Sequence, residues 1–110
     1  MNYRDLDPET AQQELQTDPT LRVLDVRTAE EYASHRLPDA TLVPVQDLQA
    51  RLAELDPETN WLVHCEHGRR SLFACELLEK AGFHKLANLR GGLVSWAGCG
   101  LPLQTGRPGK

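Results

Sequence analysis

Apolar residues along this chain fall into short runs of strand character separated by segments in which they recur at helical spacing, so strands and helices are expected to alternate. Asp7-Pro8-Glu9 reads as a helix N-cap, a proline at the first helical position and an acidic first turn, for a helix reaching about Gln16. Residues 21–26 form the first strong strand, and Thr28 with Glu31 makes a capping box for a short helix ending near Ser34. A short strand is expected over 41–43, then a helix with Leu48, Leu52 and Leu55 along one face, ended by Asp56-Pro57. Residues 61–64 form a second central strand. The helix over 71–81 carries Phe73, Ala74, Leu77, Leu78 and Ala81 as a broad apolar stripe, with Gly82 as its C-terminal cap. A strand over 86–89 follows, and Gly91-Gly92 opens a last helix bearing Val94 and Trp96.

This order predicts an α/β fold with a mostly parallel sheet. At 110 residues the chain is read as one domain over 1–103. The remainder, 104–110, has nothing to bury and is expected to be a disordered tail.

Composition narrows the partners. The formal net charge of −4 argues against nucleic acid or an anionic membrane, and no apolar run approaches the roughly 18 residues of a membrane span. The polar start lacks the apolar stretch of a signal peptide, which makes the cytoplasm the expected location. Three cysteines, at 65, 75 and 99 without a C-x-x-C, suit neither a disulfide framework nor a zinc site, so no metal is expected.

The chemistry concentrates at Cys65. It ends an apolar strand and opens Cys65-Glu66-His67-Gly68-Arg69-Arg70 ahead of a helical pattern, which places a thiol at the mouth of a strand–loop–helix turn. Helix N-termini and neighbouring guanidinium groups favour a thiolate over a thiol, making Cys65 the candidate nucleophile. Gly68 stands where a loop folding back on itself needs positive φ, and successive inward N–H groups there would form an anion-binding nest around the sulfur. Cys75, among apolar residues in a helix, reads as packing; Cys99, between two glycines, reads as a bystander.

Around the loop, Arg70 is expected to close the cradle, and Asp25, at the carboxyl end of its own strand, to brace it if it reaches that far. Arg69 is placed at the rim and His67 is read as loop filler. Arg27 and Glu31, four residues apart, look like a structural ion pair. A phosphatase-type loop would need its closing arginine one position later, where Ser71 stands, and a smaller cradle suits a sulfur atom carried on cysteine better than a phosphate.

With these residues in view, the chain resembles a single-domain rhodanese, a thiosulfate sulfurtransferase. Leu24-Asp25-Val26-Arg27 with Glu31-Tyr32 matches that family's D-x-R-x-x-x-E-[FY] segment, Leu37-Pro38-Asp39-Ala40 with Pro44 its I-P-G-A…P segment, and Gly91-Gly92 with Trp96 its closing G-G-x-x-x-W. The resemblance implies a central sheet with helices on both faces. It also implies transfer of a sulfane sulfur from thiosulfate or a related donor to cyanide or a thiol through a Cys65 persulfide, with no cofactor. Two departures stand out. His35-Arg36 replace Gly-His, and Asp39 replaces a glycine. Glu66, beside the nucleophile, would oppose a dianionic donor and favours a rival reading, a carrier module passing persulfide to a protein partner. A phosphatase or arsenate reductase is the third reading, supported by His64-Cys65 and opposed by the loop length.

Overall fold

The computed structural model describes residues 3–106. Five parallel strands form one sheet in the order β1-β6-β5-β2-β4, where β1 is Tyr3–Leu6, β2 Leu21–Asp25, β4 Thr41–Leu42, β5 Asn60–His64 and β6 Leu86–Leu89. Parallel neighbours need crossovers, and helices supply them: α1 (Pro8–Thr17), α2 (Ala29–Ser34), α3 (Val45–Leu48) and α4 (Arg70–Lys80); α5 (Gly92–Gly98) follows the last strand of this sheet. Side chains alternate across the sheet, so consecutive strand residues feed two separate cores. Leu24 and Val63 join Leu48, Ala74, Cys75 and Leu78 on the face covered by α3 and α4. Val23 and Leu62 join Ala11, Leu93 and Trp96 on the face covered by α1 and α5. Among the described residues no helix is long and apolar enough to cross a membrane.

Local signals explain most element boundaries. Asp7 caps α1 by accepting from the Thr10 N–H at 2.7 Å, with Pro8 in the first turn. Thr28 and Glu31 form the expected reciprocal capping box on α2. Gly82 takes the left-handed conformation just past α4, at φ +96°.

Four features depart from expectation. Strand β1 carries no periodic signal because it lies at the sheet edge with Tyr3 and Leu6 packed on opposite cores. It is held by backbone pairing with β6 and by Asp5, which accepts from Asn88 at 2.9 Å and Arg90 at 3.0 Å. The single helix expected around Leu48, Leu52 and Leu55 is instead one α turn and a separate 3₁₀ turn at Leu52–Glu54; the leucines still reach the same core. Phe73 is 60% exposed rather than part of the apolar stripe. Helix α4 turns Ser71, Ala74, Cys75 and Leu78 inward, a set spaced for one helical face, and at 100° per residue Phe73 falls on the opposite side.

Gln104 and Thr105, expected within a disordered tail, also depart. Gln104–Thr105 form strand β7, antiparallel to β3 (His35–Arg36). The Arg36 guanidinium donates to the carbonyls of Tyr32 and Gly106 and lies 5.1 Å from the Tyr32 ring centroid, tying this segment down. The expectation for residues 107–110 falls outside the described residues.

Asp39, the residue standing in place of a glycine, adopts φ +59°. Aspartate tolerates the left-handed region better than most side chains, whereas alanine there costs about 1 kcal/mol. Asp39→Gly should therefore unfold at a denaturant midpoint equal to or above the parent's, and Asp39→Ala below it. A higher midpoint for alanine than for glycine would show that the aspartate side chain, not the backbone angle, governs this turn.

Candidate active site

Strands β2 and β5 are paired in register so that Asp25 lies opposite His64, and both end at the same edge of the sheet. Cys65 follows directly. Its chain then turns through Gly68, at φ +97°, and enters α4 at Arg70. The Cys65 sulfur accepts from the backbone N–H of Gly68 at 3.0 Å and of Ser71 at 3.3 Å, and the thiol donates to Ser71 Oγ at 3.4 Å. The sulfur thus faces the N-terminus of an eleven-residue helix, where unpaired amides and the helix dipole favour negative charge.

The thiol is not at the loop's mouth. Cys65 is only 1% exposed and belongs to the core that contains Ala74 and Cys75. It forms the floor of the loop, while His67 and Arg69 stand exposed on the rim.

The loop keeps its N–H groups inward because its carbonyls are engaged outside. The Leu93 N–H donates to Cys65 O at 2.9 Å and the Val94 N–H to Glu66 O at 3.0 Å, so the first turn of α5 holds the outer side of the loop. This approach requires glycine. A Cβ on Gly92 would sit 2.5 Å from Glu66 O and 2.7 Å from Cys65 O, and Gly92 has φ +69°. Gly91-Gly92, which sequence alone reads as a turn, is therefore the support on which the cysteine loop rests.

The charges pair differently from the sequence reading. Arg27 is fully buried. Its Nε and Nη2 donate to the Asp25 carboxylate at 2.8–3.1 Å, Nη2 also reaches His35 O at 2.6 Å, and Nη1 donates to Glu66 Oε1 at 3.0 Å. Asp25 thus braces the loop through Arg27 and Glu66, not through Arg70. Arg70 instead forms a two-pronged pair with Glu31, at 2.8 and 3.0 Å, and that pair with the Thr28 cap holds the Glu31 carboxyl down at about 2. The expected Arg27–Glu31 pair is replaced by these two, because Arg27 turns into the protein while Glu31 stays near its surface.

Glu66 is consequently not a free carboxylate beside the sulfur. Arg27 holds one oxygen, and His35 Nε2 lies 3.7 Å from the other. His64 is buried with Nδ1 3.2 Å from Cys65 O, which assigns the ring proton to Nδ1. Its Nε2 lies 3.6 Å from Asp25, and burial lowers its pKa, keeping the ring neutral near pH 7.

Ser71 is the residue that sequence reasoning missed. It entered only as the position where a phosphatase loop would carry arginine, yet it touches the sulfur through both N–H and hydroxyl; a small hydroxyl residue in the first turn after a cysteine loop was the available signal. Cys75 is buried and its thiol is pushed up to about 12, mainly by desolvation, so it stays protonated and inert. Cys99 is exposed at the far end of α5. A groove of about 700 Å³ between α1 and the turn before β4 is lined by Leu37, Trp96 and their neighbours, and none of residues 65–70 borders it.

Comparison with known proteins adds a family and a fold. Residues 7–99 match the model of the rhodanese-like domain. The chain is 33% identical to a sulfurtransferase of Allochromatium vinosum, over 90% of this chain and 92% of that one. It is also 33% identical to the putative sulfur carrier protein YrkF of Bacillus subtilis, over 82% of this chain and 49% of that longer protein. A rhodanese-related protein from Thermoplasma volcanium superposes with a TM-score of 0.85 at 26% identity, covering 93% of this chain and 98% of that structure. The family match runs through both helices that hold the Cys65 loop, and the chain belongs to the rhodanese-like sulfurtransferase family.

Proposed function

We propose that Cys65 is the nucleophile of a persulfide-forming sulfur transfer, with thiosulfate or a related sulfane compound as donor and cyanide or a thiol as acceptor. The observation that carries this reading is the sulfur's position: on the loop floor, facing two backbone N–H groups and a hydroxyl. With thiosulfate, the Cys65 thiolate attacks the outer sulfur, the S–S bond of the donor breaks, and its electron pair leaves with sulfite. A Cys65 persulfide anion remains. Cyanide or a thiolate then attacks the outer sulfur of that persulfide, and Cys65 departs as thiolate. Neither step needs a proton relay, which fits a sulfur whose hydrogen-bond partners among the described residues are two backbone N–H groups and a hydroxyl.

The inward N–H groups of Gly68 and Ser71 stabilise negative charge on sulfur throughout, and Gly68 allows the turn that aims them. Arg70 and Arg69 supply a positive field at the rim, Arg70 with its position fixed by Glu31. Asp25 and Arg27 act indirectly, by holding Glu66 and through it the wall of the loop. A phosphatase reading loses further ground, since Arg70, the arginine closest to the place required, is tied to Glu31. The carrier reading keeps the support of the relative named a putative sulfur carrier, although Glu66, compensated by Arg27, argues for it less than its sequence position suggests.

The test is transfer from thiosulfate to cyanide by single variants. Cys65→Ala should abolish turnover, while Cys75→Ser and Cys99→Ser retain it, with Cys75→Ser losing about 1–2 kcal/mol of stability for burying a hydroxyl in place of sulfur. Turnover that survives in Cys65→Ala would remove the nucleophile from this account.

Ser71→Ala keeps the backbone N–H and deletes the hydroxyl. Loss of a hydrogen bond to a charged group predicts about a tenfold drop in kcat/KM for thiosulfate, and unchanged kcat/KM would show that the N–H groups suffice alone.

Glu66→Gln keeps size and removes charge. It should raise kcat/KM for thiosulfate, most at low salt, because Arg27 is then less fully compensated and the site more positive. A loss with every donor would instead identify the Arg27–Glu66 pair as necessary to the loop's shape.

A further inference from the structure

Three large apolar side chains among the described residues stand in solvent: Leu72, Phe73 and Val94, at 38%, 60% and 47% exposure. All three lie on the first turns of the helices that hold the Cys65 loop. Leu72 and Phe73 directly follow Ser71, whose N–H meets the sulfur, and the Val94 N–H meets Glu66 O. Because α4 and α5 pack on opposite faces of the sheet, Leu72 and Phe73 stand within one helical turn of the loop on one side and Val94 on the other. Elsewhere the described surface buries or half-buries its large apolar groups, so this clustering has a cost in solubility that calls for an occupant.

The same rim is basic on an acidic protein. His67 and Arg69 are exposed beside the loop while the chain as a whole carries −4. The sulfur, 1% exposed, lies too deep for the body of a folded partner to touch, so a reacting sulfur has to arrive on a narrow projection. A small anion such as thiosulfate needs the positive charge and the depth, yet has no use for apolar flanks. A second copy of this chain in a two-fold contact would set the same cationic rim against itself.

Resting on the sulfurtransferase reading above, we propose that this rim is a docking surface for a partner protein that presents its reacting cysteine on a flexible segment bearing acidic and apolar side chains. The acidic groups meet His67 and Arg69, and the apolar ones cover Phe73 and Val94. When the partner is the donor, the Cys65 thiolate attacks the terminal sulfur of the partner's cysteine persulfide. The partner's S–S bond breaks, its thiolate leaves, and the transferred sulfur keeps its proton. The reverse exchange, by attack of a partner thiolate on the Cys65 persulfide, uses the same contact.

Two synthetic peptides of equal length, each with one cysteine converted to its persulfide, test this with cyanide as acceptor. One peptide flanks the cysteine with glutamate and leucine, the other with lysine and serine; thiosulfate is the third donor. The parent protein should prefer the acidic, apolar peptide by about tenfold in kcat/KM, the size expected for partial burial of one or two apolar side chains with charge attraction. A Leu72→Ser, Phe73→Ser double variant should lose most of that preference and keep thiosulfate turnover within about twofold of the parent, since neither side chain touches the sulfur.

Absence of the preference in the parent, or its survival in the double variant, overturns the proposal while leaving thiosulfate transfer intact. So does a parent dimer that the double variant converts to monomer in sedimentation, which assigns the face to a second copy. Binding of the parent to phosphatidylserine vesicles that the double variant loses assigns it to a membrane and is equally contrary. Thiosulfate turnover that persists in Cys65→Ala is a different failure, that of the underlying sulfurtransferase reading.

Discussion

Two backbone hydrogen bonds, from Leu93 N–H to Cys65 O and from Val94 N–H to Glu66 O, set the shape of the site. A short loop presents either its N–H groups or its carbonyls to its centre. Here the carbonyls are taken up by the first turn of α5, which leaves amides to face the cysteine sulfur. Gly92 permits the contact, since any Cβ would collide with the same two carbonyls, and Gly68 supplies the positive φ that closes the turn. The parallel sheet makes the contact available by ending β5 and β6 side by side, so the loop after one strand meets the helix after the next.

A second constraint is the fully buried Arg27. An isolated guanidinium in the interior would be strongly destabilising, and the fold offsets this with Asp25, the His35 carbonyl and Glu66. The arrangement ties the end of β2, the C-terminus of α2 and the cysteine loop to one side chain. Removing a partner leaves a charge without compensation, so Asp25, Arg27 and Glu66 are coupled. Their effects on the loop should not be additive. Glu66 belongs to this bracing before it belongs to any substrate contact, which changes the meaning of a carboxylate beside Cys65.

The legible parts of the sequence were those governed by local rules. The Asp7 cap, the Thr28–Glu31 box, the strand–loop–helix order at Cys65 and the positive φ at Gly68 all depend on neighbours within a few residues. Pairings across the fold were not legible in the same way. Arg27 and Glu31 are spaced for an ion pair, but the rotation of the chain between β2 and α2 sends one inward and the other outward. Phe73 faces outward because helical spacing allows several apolar faces, and the choice among them is made by Ser71 turning in to meet the sulfur. Strand β1 was silent because an edge strand held by backbone pairing and one side-chain cluster needs no hydrophobic period.

The claim on which the account rests is that sulfur is carried on Cys65. Mass spectrometry of the intact protein after incubation with thiosulfate, followed by mapping of the peptide containing residues 65–69, addresses it directly. The account predicts a gain of one sulfur atom, localised to Cys65 and lost on addition of cyanide. A protein that gains no sulfur, or carries it on Cys75 or Cys99, would contradict it.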